Sequence, residues 1–472
     1  MPYIRILRHY VHTPYLIVAC FEWFLITAAA YLGYFTRYQA LPDLAGYLPV
    51  AVTFSTIIVI CMLAMGVYES RLREGYTGMM LRTAVSIFLL ATMAIAIISF
   101  VVPELDMGRS VVLFSAIEAF ILVLVSRWIS SQLIDENALK KRTLILGTGH
   151  RSIKVATRMR RRSDQRAFVL MGFLHQDGTE DMISQYGASV IHSDLSLPDY
   201  CNRNNIDEIV VAIDERRRNR DANAPGLPVE ELIACRMDGV DVIEVQEFIE
   251  REAGKVDVDL LQPSWLVFAD GFVTNSARGF IKRSFDLIAA LLLLSIIWPV
   301  MLIVAFCIGI GSLFRDPILY KQERVGLDGK LFNVVKFRSM RVDAEQQGAQ
   351  WATDKDPRIT RIGNFIRKTR IDELPQLFNV LRGDMSFVGP RPERPVFVDE
   401  LTEKIPFYAQ RHKVKPGITG WAQLCYPYGA SVEDSKQKLQ YDLYYLKNHS
   451  FLLDLIILLQ TVEVVLVGEG AR

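Results

Sequence analysis

The stretch Lys368-Thr-Arg-Ile-Asp-Glu-Leu-Pro-Gln-Leu-Phe-Asn-Val-Leu-Arg-Gly-Asp-Met-Ser-Phe-Val-Gly-Pro-Arg-Pro-Glu393 decides how the rest of the chain is read. It sets two adjacent carboxylates, Asp372 and Glu373, at the mouth of a short helix. Arg367, Lys368 and Arg370 precede them, and Arg382, Arg391 and Arg394 follow. A solvated helix face can carry such charges without purpose. On a chain embedded in a membrane that keeps this block to one side, the pattern points to phosphate handling.

Several physical constraints meet in this block. Pro375 suits a first helical turn, where its missing N–H is not needed, and a helix N-terminus favours phosphate. A carboxylate attacking phosphorus approaches an anionic centre, so it needs a divalent cation and nearby Arg or Lys. One acid attacking while its neighbour holds Mg²⁺ meets that need. A glycosidase pair fits worse. Its carboxyls flank a sugar about 5–9 Å apart, whereas sequence neighbours on a helix diverge by roughly 100°.

Outward from this block, residues 318–326 and 331–340 read as two strands joined by a turn at Asp328-Gly329. Lys336 and Arg338 alternate with apolar neighbours and share one strand face, which suits a diphosphate or a solvated edge. Gly389-Pro-Arg-Pro392 is a rigid turn presenting Arg391, whose fork matches phosphate oxygens. Lys413-Val-Lys415 reads as a basic strand running into a glycine turn. Trp421 beyond it suits base stacking, the lipid interface or core packing.

The 472 residues are too many for one ordinary domain. The net charge of +1 gives no reason to expect nucleic acid, whereas 51% hydrophobic residues and a mean hydropathy of +0.22 point to lipid. Six scattered cysteines with no CxxC suit a reducing compartment and argue against a disulfide scaffold or zinc site.

Four apolar runs are long enough to cross a bilayer: Tyr15–Tyr34, Leu48–Val67, Thr83–Val102 and Val111–Ile129. Lys and Arg flank them so that the N-terminus and everything past residue 130 are expected in the cytoplasm. No cleaved signal is expected, because further spans follow the first run. The fifth run, Phe285–Gly311, holds Trp298-Pro299 at its centre and cations on both flanks. A re-entrant helix broken at Pro299 satisfies both flanks, with a fifth span as the alternative. The last run, Phe451–Val467, is interrupted by Asp454, Gln460 and Glu463, and suits an interfacial or re-packed helix.

Between the membrane runs and the charged block, residues 141–256 alternate strand-like and helix-like segments, which implies a parallel doubly wound sheet. Its turn, Gly147-Thr-Gly-His-Arg-Ser152, lacks the third glycine of a dinucleotide fingerprint, and Asp177 sits near the ribose-binding distance. A scaffold or regulatory unit without a redox cofactor is expected. The run Arg158–Arg162 faces water or anionic headgroups. The expected organisation is four transmembrane helices in 1–135, a Rossmann-like cytoplasmic unit in 136–256, a linker in 257–279, and a membrane-embedded catalytic unit in 280–472.

Four motifs occur in order: Lys336-Phe-Arg-Ser-Met340, Arg370-Ile-Asp-Glu-Leu-Pro-Gln-Leu-Phe-Asn379, Arg382-Gly-Asp-Met-Ser-Phe-Val-Gly-Pro-Arg-Pro392 and Lys415-Pro-Gly-Ile-Thr-Gly-Trp-Ala-Gln423. Over residues 278–472 the chain resembles the bacterial sugar transferases, the polyprenyl-phosphate hexose-1-phosphate transferases or monotopic phosphoglycosyl transferases. Residues 1–256 resemble the family's long form. The resemblance implies an inner-membrane enzyme that moves a sugar-1-phosphate from a UDP-sugar to undecaprenyl phosphate and starts a surface glycan such as an exopolysaccharide. It implies Asp372 as nucleophile, forming an aspartyl-phosphosugar with loss of UMP, and Glu373 as a Mg²⁺ ligand with Asp384 as an additional acid. Lys336, Arg338 and Arg391 become phosphate contacts, and Pro299 the helix-breaking proline. Where the family has Ser-Pro this chain has Trp298-Pro299, with Ser295 one turn earlier. The middle unit offers a surface for a homodimer. A membrane-bound nucleotide-sugar dehydratase or epimerase is the first rival, but no Tyr here has Lys four residues later. A non-catalytic scaffold of a polysaccharide export complex is the second. The hexose is not encoded in any signature.

Overall fold

Why the first third folds as helices follows from its composition: long apolar runs have no solvent partner for backbone polar groups except the helix itself. In the computed structural model, residues 3–6, 9–68, 76–133, 140–158, 168–176, 179–214, 226–261, 276–342, 358–426, 429 and 431–467 are described. By contacts the chain divides into two compact units that meet at Ala253/Gly254.

The first unit begins with helices α1 (Thr13–Tyr38) and α2 (Leu44–Ala64). Next, α3 (Tyr76–Val85) passes through a π-turn at Ser86–Ala91 into α4 (Thr92–Val101), and α5 (Arg109–Leu133) follows. Small residues line the inward faces: Ala29, Ala30, Ala51, Ala116 and Ala119 are buried, while Phe24, Phe100 and Trp128 point outward. A Cβ on Gly33 would come within 2.2 Å of the Ser115 hydroxyl, so glycine is what lets α1 and α5 approach. Among these apolar faces lies a buried ion pair. Arg127 of α5 donates to both carboxylate oxygens of Glu22 at 2.5 and 2.7 Å, and Tyr68 donates to the same carboxylate at 2.6 Å.

The same unit holds a five-stranded, wholly parallel sheet: β1 (Lys141–Leu146), β2 (Phe168–Leu174), β3 (Val190–Ile191), β4 (Glu208–Val211) and β5 (Asp241–Glu244), in the order β3-β2-β1-β4-β5. Helices α6 (His150–Arg158), α7 (Leu197–Asn204), α8 (Val229–Met237) and α9 (Val245–Ala253) connect or follow these strands. This is the doubly wound topology the alternation predicts, with the glycine turn at the end of the central strand. Asp177 and residues 159–162 of the basic run lie outside the described residues.

The second unit opens with α10 (Ser276–Gly311), an antiparallel pair β6 (Leu319–Val325) and β7 (Leu331–Phe337), and α11 (Arg361–Lys368). The expected turn joins the pair, with Asp328 at φ 51°. The chain continues through α12 (Gln376–Arg382), β8 (Ser386–Val388) and α13 (Pro395–Lys404) to β9 (Gly417–Thr419), parallel to β8. Helices α14 (Trp421–Cys425), α15 (Val432–Asn448) and α16 (Phe451–Val467) close it. Its core joins Ala290 of α10, Val334, Leu377, Val380, Trp421, Leu443 and Ile457. The last apolar run is thus re-packed on this unit, with Leu453 and Ile457 buried.

Among the described residues, five helices are long and apolar enough to cross a membrane, against the four spans expected: Leu16–Tyr38, Leu44–Ala64, Gly78–Val101, Arg109–Ser130 and Arg278–Gly311. The fifth is the run holding Pro299, and the helix there continues on both sides of the proline. One local reading needs correction, and one open choice is decided. Lys413 closes a 3₁₀ turn, Tyr408–Lys413, and only Gly417–Thr419 is strand. Trp421 is core: it is 2% exposed, its indole N–H donates to the Gly254 carbonyl at 2.7 Å, and its ring stacks on Tyr444.

Candidate active site

Asp372 owes its position to an unusual backbone step. Arg370 sits at φ 57°, a left-handed conformation that costs a non-glycine residue about 1–3 kcal/mol. The chain then tightens into a 3₁₀ turn, Ile371–Glu373, before Pro375 starts α12. Asp372 is 8% exposed, and among the described residues nothing donates a hydrogen bond to its carboxylate. Burial pushes its pKa up and the neighbouring Glu373 charge pushes the same way, while Lys336, Arg367 and Arg370 pull against them. The result is a carboxylate more basic than an ordinary aspartate.

Glu373 is the opposite case. Lys336 of β7 donates to its Oε1 at 2.9 Å and Arg391 donates to the same atom at 3.2 Å. Burial alone would raise its carboxyl, but Lys336, Arg391 and Arg370 hold it well below the usual carboxylate range. Burial pulls the Lys336 ammonium down against the Glu373 charge. Four of the residues singled out from sequence therefore converge: Asp372, Glu373, Lys336 and Arg391.

Arg338 does not join them. Its Nη1 faces Asp316 at 2.6 Å beside the end of α10. Asp384 is engaged by its own loop, accepting from Asn379 Nδ2 at 3.5 Å and facing Arg382 at 3.7 Å. Ser295, in the middle of α10, donates to the Leu292 carbonyl.

A divalent cation fits the Asp372-Glu373 pair in one respect. Both cation contacts to Glu373 fall on Oε1, and Asp372 receives no donor. Among the described residues, no three His, Cys, Asp or Glu side chains gather into a metal-binding group. Mg²⁺ binds in that manner, taking one or two carboxylates and completing its shell with water and substrate phosphates.

What holds Arg391 in place was not legible beforehand. Its carbonyl accepts from Arg411 at 3.0 Å, and Arg411 is paired with buried Asp442 at 2.8 Å. The Pro392 carbonyl accepts from Arg324, the Glu393 carbonyl from the Val325 N–H, and the Pro390 carbonyl from the Gly417 N–H. Upstream, Lys282 donates to the Val388 carbonyl at 3.1 Å and is neutralised by Asp454 at 2.6 Å, with Tyr445 bridging. Arg283 donates to the last carbonyls of α12, those of Val380 and Leu381, and Asp286 accepts from Ser386 and from the Phe387 N–H. The first turns of α10 thus grip both α12 and the arginine loop. In sequence, Lys282 and Arg283 read only as flanking charges, and Asp454 only as an interruption of an apolar run.

The second phosphate-like feature, the glycine turn after β1, is occupied by the chain itself. Asp214 accepts from the His150 N–H at 2.6 Å and the Arg151 N–H at 2.9 Å, capping α6. A Cβ on Gly149 would strike this carboxylate. The N–H groups that would meet a dinucleotide phosphate are already satisfied.

Residues 277–468 match the family described as bacterial sugar transferase, and residues 63–220 match one described as CoA-binding domain. The chain is 43% identical over 241 residues to an Aeromonas hydrophila UDP-N-acetylgalactosamine-undecaprenyl-phosphate N-acetylgalactosaminephosphotransferase, covering 51% of this chain and 56% of that protein. It is 34% identical over 342 residues to a Komagataeibacter xylinus undecaprenyl-phosphate glucose phosphotransferase, covering 69% and 59%. It is 31% identical over 351 residues to an Erwinia amylovora UDP-galactose-lipid carrier transferase, covering 70% and 69%. The chain thus spans little more than half the length of the first two relatives.

Proposed function

The chain belongs to the bacterial sugar transferase family, and on that premise we propose that it transfers a sugar-1-phosphate from a UDP-sugar to undecaprenyl phosphate at the cytoplasmic face of the inner membrane. The observation that carries the reading is the contrast inside the acid pair: among the described residues, none donates to buried Asp372, while two cations hold Glu373.

In this mechanism an Asp372 oxygen attacks the sugar-bearing phosphorus of the donor. The bond from that phosphorus to the bridging oxygen breaks, and UMP leaves with the electron pair. A phosphate oxygen of the acceptor lipid then attacks the same phosphorus, and the Asp372 carboxylate is released unchanged. Two like charges 4 Å apart at an effective dielectric of about 20 repel by about 4 kcal/mol, roughly a thousandfold in rate. Lys336 and Arg391, aimed at the same locus by Glu373, offset that repulsion. When bound at the acid pair, Mg²⁺ would supply further charge neutralisation at the diphosphate. The raised pKa of Asp372 favours attack, since a more basic carboxylate is a better nucleophile.

We further propose that α1, α2, the α3–α4 segment and α5 cross the bilayer, and that α10 enters and returns to the same face around Pro299. The four N-terminal spans keep the flanking Lys and Arg on one side. The doubly wound unit then serves as a scaffold, since Asp214 occupies its glycine turn.

The test is a panel of labelled UDP-glucose, UDP-galactose and UDP-N-acetylated hexoses offered to membranes with undecaprenyl phosphate. Wild type is expected to release UMP and make lipid-linked sugar in a metal-dependent way, and Asp372→Asn to do neither. Mass spectrometry of a reaction stopped before acceptor is added is expected to find the sugar phosphate on the peptide containing Asp372. Full product formation by Asp372→Asn would end the proposal.

A further inference from the structure

Arg338 and its surroundings form a second basic locus beside the Asp372 cluster. A cavity of about 380 Å³ opens between the end of α10 and the strand leaving β7, lined by Ser312, Arg338, Met340, Arg341 and Thr360. Two guanidinium groups share it with one acid, Asp316. The Arg338 side chain is 11% exposed, and its Nη1 is buried without any hydrogen bond although Asp316 lies 2.6 Å away, so that contact is an ion pair without donor alignment. Asp316 is 44% exposed.

One side of the cavity is apolar. Val342 lines it and is 64% exposed, Leu313 follows the lining residue Ser312 and is 74% exposed, and the apolar length of α10 ends at the cavity wall at Gly311. Leu313 and Phe314 are both left-handed, at φ 52° and 56°, a turn that is costly for side-chain-bearing residues. A water-soluble anion would use the arginines and leave this apolar side uncovered. A ligand with an anionic head and a hydrocarbon tail uses both.

We propose that this cavity binds the phosphate head of the acceptor lipid, a polyprenyl phosphate, separately from the donor diphosphate at Lys336 and Arg391; the assignment rests on the transfer reading above. Arg338 follows Lys336 by two residues. At about 3.3 Å per residue the two backbone positions are about 7 Å apart. An acceptor phosphate held by Arg338 is then bound two residues along the chain from the lysine that faces the acid pair, and the guanidinium fork suits phosphate geometry.

The experiment uses the full chain in nanodiscs of neutral lipid, with undecaprenyl phosphate, phosphatidylglycerol and inorganic phosphate as separate probes. Binding is read by native mass spectrometry, and KM is measured for each substrate. The double variant R338Q/R341Q is expected to weaken undecaprenyl phosphate binding and raise its KM at least about tenfold, with the KM for UDP-sugar within about twofold. Met340→Trp, which fills the cavity and keeps both arginines, is expected to act the same way, so misfolding of one variant does not decide the matter. Phosphatidylglycerol and inorganic phosphate are expected to compete at least about tenfold more weakly. Equal competition by either, an unchanged KM for undecaprenyl phosphate in both variants, or a parallel loss of UDP-sugar affinity would overturn the assignment. If wild type holds undecaprenyl phosphate in the cavity yet makes no lipid-linked sugar, the transfer reading falls and the lipid site stands. If transfer proceeds normally in both variants, the reverse holds.

Discussion

Asp214 and Asp372 are both carboxylates at the entrance to a helix, and they are treated in opposite ways. At the head of α6, Asp214 takes the two leading N–H groups and closes a glycine turn to any outside anion. At the 3₁₀ turn before α12, Asp372 is buried and none of the described residues donates to it, while its neighbour Glu373 accepts from Lys336 and Arg391. An acid whose partners lie in its own chain is spent on structure. On the proposed mechanism, an acid without them is left to react. Within a single polypeptide, one acid at a helix entrance is held by backbone N–H groups and the other lies beside a cation-bound neighbour.

The hardest blow to this contrast is expected from Asp372→Asn, which removes the unpartnered oxygen. Lipid-linked product should fall by more than about a thousandfold, measured with labelled UDP-sugar. Next in size is Asp442→Ala, which leaves buried Arg411 without its counter-charge behind the Arg391 carbonyl. Breaking such a pair costs about 3–5 kcal/mol, so the second unit should melt at a visibly lower temperature. Glu373→Gln sharpens the comparison further. It frees Lys336 and Arg391 and removes the negative neighbour that helps raise Asp372. Activity should drop about 10- to 100-fold. The acid limb of kcat/KM should also move to lower pH, because Asp372 then ionises more easily. An acid limb moving to higher pH would contradict the assigned electrostatics. The smallest effect belongs to Asp214→Ala: about 1 kcal/mol of stability from the lost cap, with transfer within about twofold of wild type.

How much of this was readable in the chain depends on the range of the interaction. The β6–β7 hairpin, the short helix that follows Asp372-Glu373 and the parallel sheet were legible because each is written in neighbouring residues, whereas the 3₁₀ turn carrying the acid pair was not. Lys336 and Arg391 could be enrolled because their motifs announce phosphate chemistry. Arg338 was grouped with Lys336 by strand alternation, which places two side chains on a face without saying that one then meets Glu373 and the other Asp316. Arg411 and Asp442, 31 positions apart, carry no local sign that folding buries them together. Glu22 and Arg127, 105 positions apart, each lay inside an apolar run, and that oddity was the available sign that they pair. Trp421 carried no local mark to separate core from interface.

Because Lys282, Arg283 and Asp286 fasten the start of α10 to α12 and to the strand before Arg391, the reaction centre has no independent suspension. With α10 seated in the bilayer as proposed, the height of the acid pair above the lipid surface would be set by how the apolar part of that helix settles between the leaflets. A change in bilayer thickness, which helices accommodate by tilting, would be transmitted through these three side chains as a lever arm. Membrane composition would then tune turnover without touching either substrate.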